Sequence, residues 1–84
     1  MKNEKLLLLK VFVMDHFDSP NFKVTYLPSL GKAIVEDIDK NVIFITARDN
    51  NIVECSEGFT CKVFRRLQMI ETFHHSYEYA WRVL

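Results

Sequence analysis

The sequence predicts an α+β fold in which an antiparallel meander of four to five short strands is packed by one long C-terminal helix. Two observations favour this fold. Short segments rich in β-branched and aromatic residues alternate with turn-forming clusters through the first two thirds of the chain. Apolar residues then recur at steps of three and four in the last third, which is the spacing of one helix face. The 84 residues are enough for a single small globular domain, residues 1–84.

The first strand is predicted at residues 6–14, LLLLKVFVM, because the run is apolar, branched and short. The four leucines could equally begin a helix. Residues 29–38 are also ambiguous, since Ser29 could cap a short helix there, and we prefer a strand. Clearer strands, bounded by turn-forming residues, are predicted at residues 22–27, 41–46 and 52–55.

The C-terminal helix is predicted to begin near Phe59 or Thr60 and to run about 24 residues, which is roughly 36 Å. Six of the chain's eleven aromatic residues, two of its three histidines and its only tryptophan lie in this last stretch. A stripe this aromatic must be covered by the rest of the chain or by a partner. The stripe consists of Phe64, Leu67, Ile70, His74, Tyr77, Trp81 and Leu84.

Composition favours a protein that contacts another protein. The chain is 49% hydrophobic, which is high for a domain with so little interior, so part of the apolar surface is expected to stay exposed. A homodimer or another protein contact follows from this expectation. The formal net charge is zero, whereas a protein that mainly grips phosphates usually carries a positive excess.

The cytoplasm is the predicted location, and no membrane association is predicted. Lys10 interrupts the apolar run near the N-terminus, and no small-residue cleavage site follows it. No run of eighteen apolar residues is present for a membrane span. Cys55 and Cys61 are too few for a disulfide scaffold and are interpreted as two small buried hydrophobic side chains.

The predicted function is a non-catalytic protein-binding module, a small regulator or inhibitor of a larger protein. Tyrosine, tryptophan and arginine are enriched among the residues that dominate binding energy at protein interfaces. The end of the chain is rich in these residue types, and the predicted helix spreads them over more than one face. The predicted partner-binding residues are Tyr77, Tyr79, Trp81 and Arg82.

The alternative is a small nucleic-acid-binding regulator. Lys62, Arg65 and Arg66 would form a compact basic group on the first turns of the predicted helix, where they could enter a groove or follow phosphates. The competing interpretation is an ordinary solvated face paired with the acidic middle of the chain. Because the chain has no net positive charge to attract phosphates, binding of nucleic acid is the second of the two predicted functions.

No catalytic residue, metal ligand or cofactor is predicted. Cys61 at a helix start would be the best nucleophile, but His74 and His75 lie at least three turns away. The spacing of the cysteines and histidines does not fit the usual zinc patterns. The run Asp15–Asp18, read as a loop, is better explained by turn formation than by acid–base chemistry.

Overall fold

The computed structural model describes residues 2–58 and 60–74, with side chains described from residue 6 onward. One N-terminal helix is followed by a six-stranded antiparallel sheet, with strand order β1-β2-β3-β4-β5-β6. Every strand therefore pairs with its neighbours in sequence, and the sheet is a simple meander. The elements are α1 (Lys2–Phe17), β1 (Lys23–Leu27), β2 (Lys32–Glu36), β3 (Val42–Arg48), β4 (Asn51–Ser56), β5 (Thr60–Arg65) and β6 (Gln68–His74), with a 3-10 turn at Pro28–Leu30.

The predicted long C-terminal helix is wrong. Residues 60–74 form the hairpin of β5 and β6 instead, and the predicted stripe from Phe64 to His74 is divided among β5, the turn at Arg66 and Leu67, and β6. Residues 75–84 lie outside the described part of the chain. The local composition explains the hairpin, because Thr, Val, Ile and Phe at these positions favour strands. Apolar side chains on both faces of β5 obscured the two-residue period.

The strand predicted at residues 6–14 is also wrong, because these residues belong to α1. The four leucines lie in this helix, so the alternative interpretation, that they begin a helix, is the correct one. The segment is apolar on nearly every side, so its sequence has little amphipathic contrast from which to read a helical period. By contrast, the strands predicted at 22–27, 41–46 and 52–55 are confirmed, and the preference for a strand within 29–38 is confirmed by β2.

The main hydrophobic core lies between α1 and one side of the sheet, which we call the helix face. From the helix, Leu9, Phe12 and Val13 are almost wholly buried. The Phe12 ring meets the Phe64 ring of β5 edge to face, with 4.8 Å between centroids. The sheet contributes Ala33 and Val35 from β2, Ile45 and Ala47 from β3, and Ile52 from β4.

The opposite side of the sheet, which we call the second face, carries a smaller apolar cluster. Cys55 and Cys61 are paired directly across β4 and β5, and a disulfide joins them. Both side chains are buried, together with Val53, and Val63 and Phe73 pack against them. The predicted burial of the two cysteines is confirmed, whereas their interpretation as two separate small hydrophobic side chains is wrong, because they are disulfide-bonded. The loop they close is short, so the bond restricts the unfolded chain by about 2 kcal/mol.

The turn between β2 and β3 is held by one carboxylate. Asp37 Oδ1 accepts hydrogen bonds from the backbone N–H groups of Asp39 and Asn41, each at 2.9 Å. Asp37 Oδ2 accepts a third from the Asn41 side-chain amide at 3.1 Å. The hydrogen bonds from Asn41 lower the pKa of the Asp37 carboxyl. This self-bonded turn is the kind that aspartate and asparagine form in loops.

The turn between β5 and β6 is strained. Arg65 pairs with Gln68, so only Arg66 and Leu67 form the loop, and both have positive φ, at 50° and 67°. Two-residue hairpin loops of this kind usually contain asparagine and glycine, because other residues are disfavoured there by about 1–2 kcal/mol each. The Arg66 N–H donates to the carbonyl of Asn50 at 2.9 Å, which ties this turn to the β3–β4 turn.

We expect Phe12→Ala to lower the free energy of unfolding by about 3–5 kcal/mol, because it empties the centre of the helix-face core. Met14→Ala is the matched control on the same helix, and it should change stability little because Met14 is 66% exposed. Urea unfolding of both variants measures the difference. Equal effects of the two substitutions would contradict the packing described for α1.

We expect the double substitution Arg66→Asn with Leu67→Gly to raise the free energy of unfolding by about 1 kcal/mol, because these residues adopt positive φ readily. Leu30→Gly is the control: Leu30 is also exposed but lies in a 3-10 turn without positive φ, so glycine there should destabilise. Thermal and urea unfolding give both values. A loss of stability in the hairpin variant would rule out the two-residue loop.

Candidate functional site

The solvent side of α1 carries three of the large apolar side chains that are exposed in the described part of the chain. Leu7, Val11 and Met14 are 62%, 41% and 66% exposed. Their spacing of four and three residues places them on one stripe of the helix, facing away from the buried Leu9, Phe12 and Val13. We call Leu7, Val11 and Met14 the outer stripe. A helix that is apolar on both sides is normally covered on both sides.

Charged side chains border the outer stripe. On the helix, Lys10 lies to one side of the stripe and Asp15 to the other, and both are exposed. The Lys10 ammonium lies 6.0 Å from the centre of the Tyr26 ring on β1, at the outer limit of a cation–π contact. The stripe is therefore an apolar strip with a basic margin and an acidic margin, and these margins would fix the direction in which a partner lies across the helix.

The C-terminal end of α1 is anchored by aromatic contacts. His16 stacks on Phe12, with 4.1 Å between ring centroids, and meets Phe64 edge to face at 5.4 Å. Its Nδ1–H donates to the Phe12 carbonyl at 3.0 Å, which fixes the ring. Phe17 packs edge to face on Phe22 at 5.2 Å. These contacts pack the end of the helix against β5 and the segment before β1, on the side opposite the outer stripe.

Beyond the helix, the helix face carries a set of polar residues on β4, β5 and β6. Glu54 pairs with Lys62 across β4 and β5, and Lys62 pairs with Thr72 of β6. Burial raises the pKa of the half-buried Glu54 carboxyl, while the charges of Lys62 and His16 act in the opposite direction. Thr60 and His74 form the next residue pair on this face of β5 and β6, and the Thr60 hydroxyl shares a hydrogen bond of 3.3 Å with His74 Nδ1.

This set of polar residues does not bring the candidate nucleophile, Cys61, together with a histidine that could act as its base. His74 is bonded to Thr60, and Cys61 is disulfide-bonded on the second face, so Cys61 is not a free nucleophile at a helix start. Within residues 2–58 and 60–74, no three histidine, cysteine or acidic side chains converge where a metal ion could bind. His75 lies outside the described residues.

The run Asp15–Asp18 is not a loop, since residues 15–17 form the end of α1. Asp15 Oδ2 lies 3.8 Å from His16 Nδ1, at the limit of an ion pair, and the Asp15 side chain is exposed. The interpretation as turn formation is therefore wrong for residues 15–17.

The basic residues of the nucleic-acid alternative do not form a group on a helix. Lys62 lies on the helix face beside Glu54, whereas Arg65 lies on the second face, where its Nε–H donates to Asn51 Oδ1 at 3.3 Å. Arg66 lies in the strained turn. The placement on a helix that could enter a groove is wrong, and binding of nucleic acid by these residues stays a prediction.

The predicted partner-binding residues Tyr77, Tyr79, Trp81 and Arg82 lie outside the described residues. The outer stripe was missed at the sequence level, although its signal was present. In LLLLKVFVM, positions 7, 11 and 14 and positions 9, 12 and 13 form two opposite apolar stripes once the segment is placed on a helix. Reading the segment as a strand concealed both.

No helix in the described part of the chain is long and apolar enough to span a membrane. The chain matches no family model, no curated protein and no solved structure.

Replacing Glu54 by glutamine tests whether burial raises the pKa of the Glu54 carboxyl. Because burial raises its folded-state pKa, the neutral carboxyl favours the folded state, and that advantage is lost as pH rises from the ordinary value of about 4.3 through the raised pKa. We expect Glu54→Gln to match the wild type in stability at pH 3–4 and to exceed it at pH 7–8.

Urea titration at several pH values gives the unfolding free energies of wild type and Glu54→Gln. The pH dependence of their difference reports the ionisation of the Glu54 carboxyl. Glu71→Gln, an exposed glutamate on β6, is the control for loss of one negative charge. A difference that stays constant with pH, or that favours the wild type at neutral pH, would contradict the assignment.

Proposed function

We propose that this chain is a non-catalytic protein-binding module that docks the outer stripe of α1 into an apolar groove on a larger protein. The single observation that carries the proposal is the exposure of Leu7, Val11 and Met14 on a helix whose opposite side is already packed on the sheet. Amphipathic helices recognise apolar grooves through anchors at this spacing. Residues 60–74 form strands and not the predicted long helix, and binding through Tyr77, Tyr79, Trp81 and Arg82, which lie outside the described residues, stays a prediction.

The size of the stripe favours a groove over a flat contact with a second copy of the chain. Three partly exposed side chains offer well under the roughly 800 Å² per partner of a standard interface. A groove would surround the stripe and also cover its margins, Lys10 and Asp15, which increases the buried area. The partner would then carry an acidic group opposite Lys10 and a basic group opposite Asp15.

A small domain that occupies a groove with a rigid helix is suited to act as a regulator or inhibitor, because it blocks whatever else uses that groove. A homodimer is the alternative occupant of the stripe. The cytoplasmic location also stays a prediction. Disulfides such as Cys55–Cys61 are rarer in the cytosol than in oxidising compartments, so the redox state of the pair in cells bears directly on it.

The test compares tagged wild-type protein with the double variant Leu7→Ser and Met14→Ser in capture experiments from the native cell, followed by affinity measurement with the recovered protein. We expect binding to weaken at least about tenfold, because two apolar anchors are removed from the contact. Stability should change little, since both side chains are exposed.

Ile38→Ser is the matched control, since Ile38 is 71% exposed but lies in the β2–β3 turn. It should bind as the wild type does. Equal recovery of every protein by wild type and double variant would contradict the proposal. A dimer seen by light scattering and lost in the double variant would assign the stripe to a second copy, and a gel shift that depends on Lys62 and Arg65 would favour nucleic acid.

A further inference from the structure

The disulfide on the second face lies near one edge of the sheet. Cys61 is on β5, and in the described part of the chain β5 is followed only by β6 in the strand order. In register, Cys61 lies opposite Phe73 of β6, while Cys55 lies opposite Phe44 of β3. The four residues form one row across the second face, with an aromatic side chain at each end of the disulfide.

The sulfur atoms are inaccessible in the closed structure. Cys55 is 1% exposed and Cys61 is fully buried. Phe73 belongs to the cluster that packs on the pair, and it is the one residue of β6 that is not exposed. A thiol reagent can therefore reach the disulfide only after local opening of the structure.

The two aromatic neighbours differ in how easily they can move away. Phe44 is on β3, which is hydrogen-bonded to β2 on one side and β4 on the other. β6 is joined to β5 through a strained turn at Arg66 and Leu67 and a register irregularity opposite Val63 and Phe64. Exposed strands with few buried contacts open at lower free energy than central ones.

We propose that Cys55 and Cys61 form a reversible thiol–disulfide site whose access is gated by Phe73 on β6. This proposal is independent of the proposed docking of α1, because the outer stripe lies on the helix and the cysteines lie on the opposite face of the sheet. Both redox states fit the same fold. Two reduced cysteines would remain as small apolar side chains in a cluster of Val53, Val63 and Phe73.

The reaction transfers two electrons and two protons. After β6 opens, a thiolate of a dithiol reductant attacks the sulfur of Cys61, the bond to Cys55 breaks, and Cys55 leaves as a thiolate that takes a proton from water. The second thiol of the reductant then attacks the mixed disulfide, releases Cys61 as a thiolate that is protonated in turn, and leaves the reductant as a cyclic disulfide. In the reverse direction, glutathione disulfide accepts the two electrons and yields two glutathione molecules.

The test measures the rate at which dithiothreitol reduces the oxidised full-length protein, with free thiols trapped by an alkylating reagent and counted by mass spectrometry. We expect Phe73→Ala to accelerate reduction at least about tenfold and Phe44→Ala to change it by less than about threefold. Phe73→Leu keeps part of the apolar bulk and should give an intermediate rate. Circular dichroism of each oxidised variant establishes that the fold is retained.

The reverse reaction is measured on the same samples. Reduced, folded protein treated with glutathione disulfide should re-form the Cys55–Cys61 bond without passing through an unfolded state. Three results would each overturn the proposal: failure of the bond to form, equal acceleration by Phe44→Ala and Phe73→Ala, or no acceleration by Phe73→Ala and Phe73→Leu. If Phe73→Ala does not fold, Phe73→Leu and Phe44→Leu are compared instead. Faster reduction of Phe73→Leu than of Phe44→Leu supports the proposal, and equal rates overturn it.

Discussion

The structure depends on the packing of a single helix over a sheet that is wider than the helix. Six strands spaced about 4.8 Å apart span roughly 24 Å, whereas a helix with its side chains is about 10–12 Å across. Helix α1 lies mainly across β2 and β3, and it reaches β5 at Phe64, which its Phe12 and His16 rings contact edge to face. Beyond that reach the helix does not cover the sheet, and the side chains there are packed by other residues, polar, or exposed, as Met69 and Ile70 of β6 are.

The distribution of residues on the sheet follows from this constraint. Under the helix, the helix face carries Val35, Ile45 and other apolar side chains. Past Phe64 it carries Glu54 and Lys62, and the half-buried position of Glu54 at this boundary is the physical reason that its pKa is raised. The second face has no described helix over it, and there a compact disulfide cluster supplies the buried apolar contacts.

The two candidate surfaces are therefore consequences of one architecture. A helix that packs on the sheet with one side leaves its other apolar side, Leu7, Val11 and Met14, in solvent. In the described part of the chain the sheet ends at β6, and Cys61 of the disulfide lies on β5, the strand beside that edge. Docking by the stripe and redox chemistry at the cysteines use separate sides of the molecule, so either can be disrupted by mutation without touching the other.

The sequence by itself determined the strands with clear turn boundaries, β1, β3 and β4, since their β-branched content and flanking turn residues act locally. It also determined that this small chain has more apolar residues than its interior requires. The tertiary structure decided the identity of α1 and of the β5–β6 hairpin. Both segments are apolar on two sides, so their periodicity is ambiguous, and the Arg66–Leu67 loop lacks the usual glycine signal. Pairing of β5 with β4, which places Cys61 opposite Cys55, is a contact between strands that local sequence patterns do not specify.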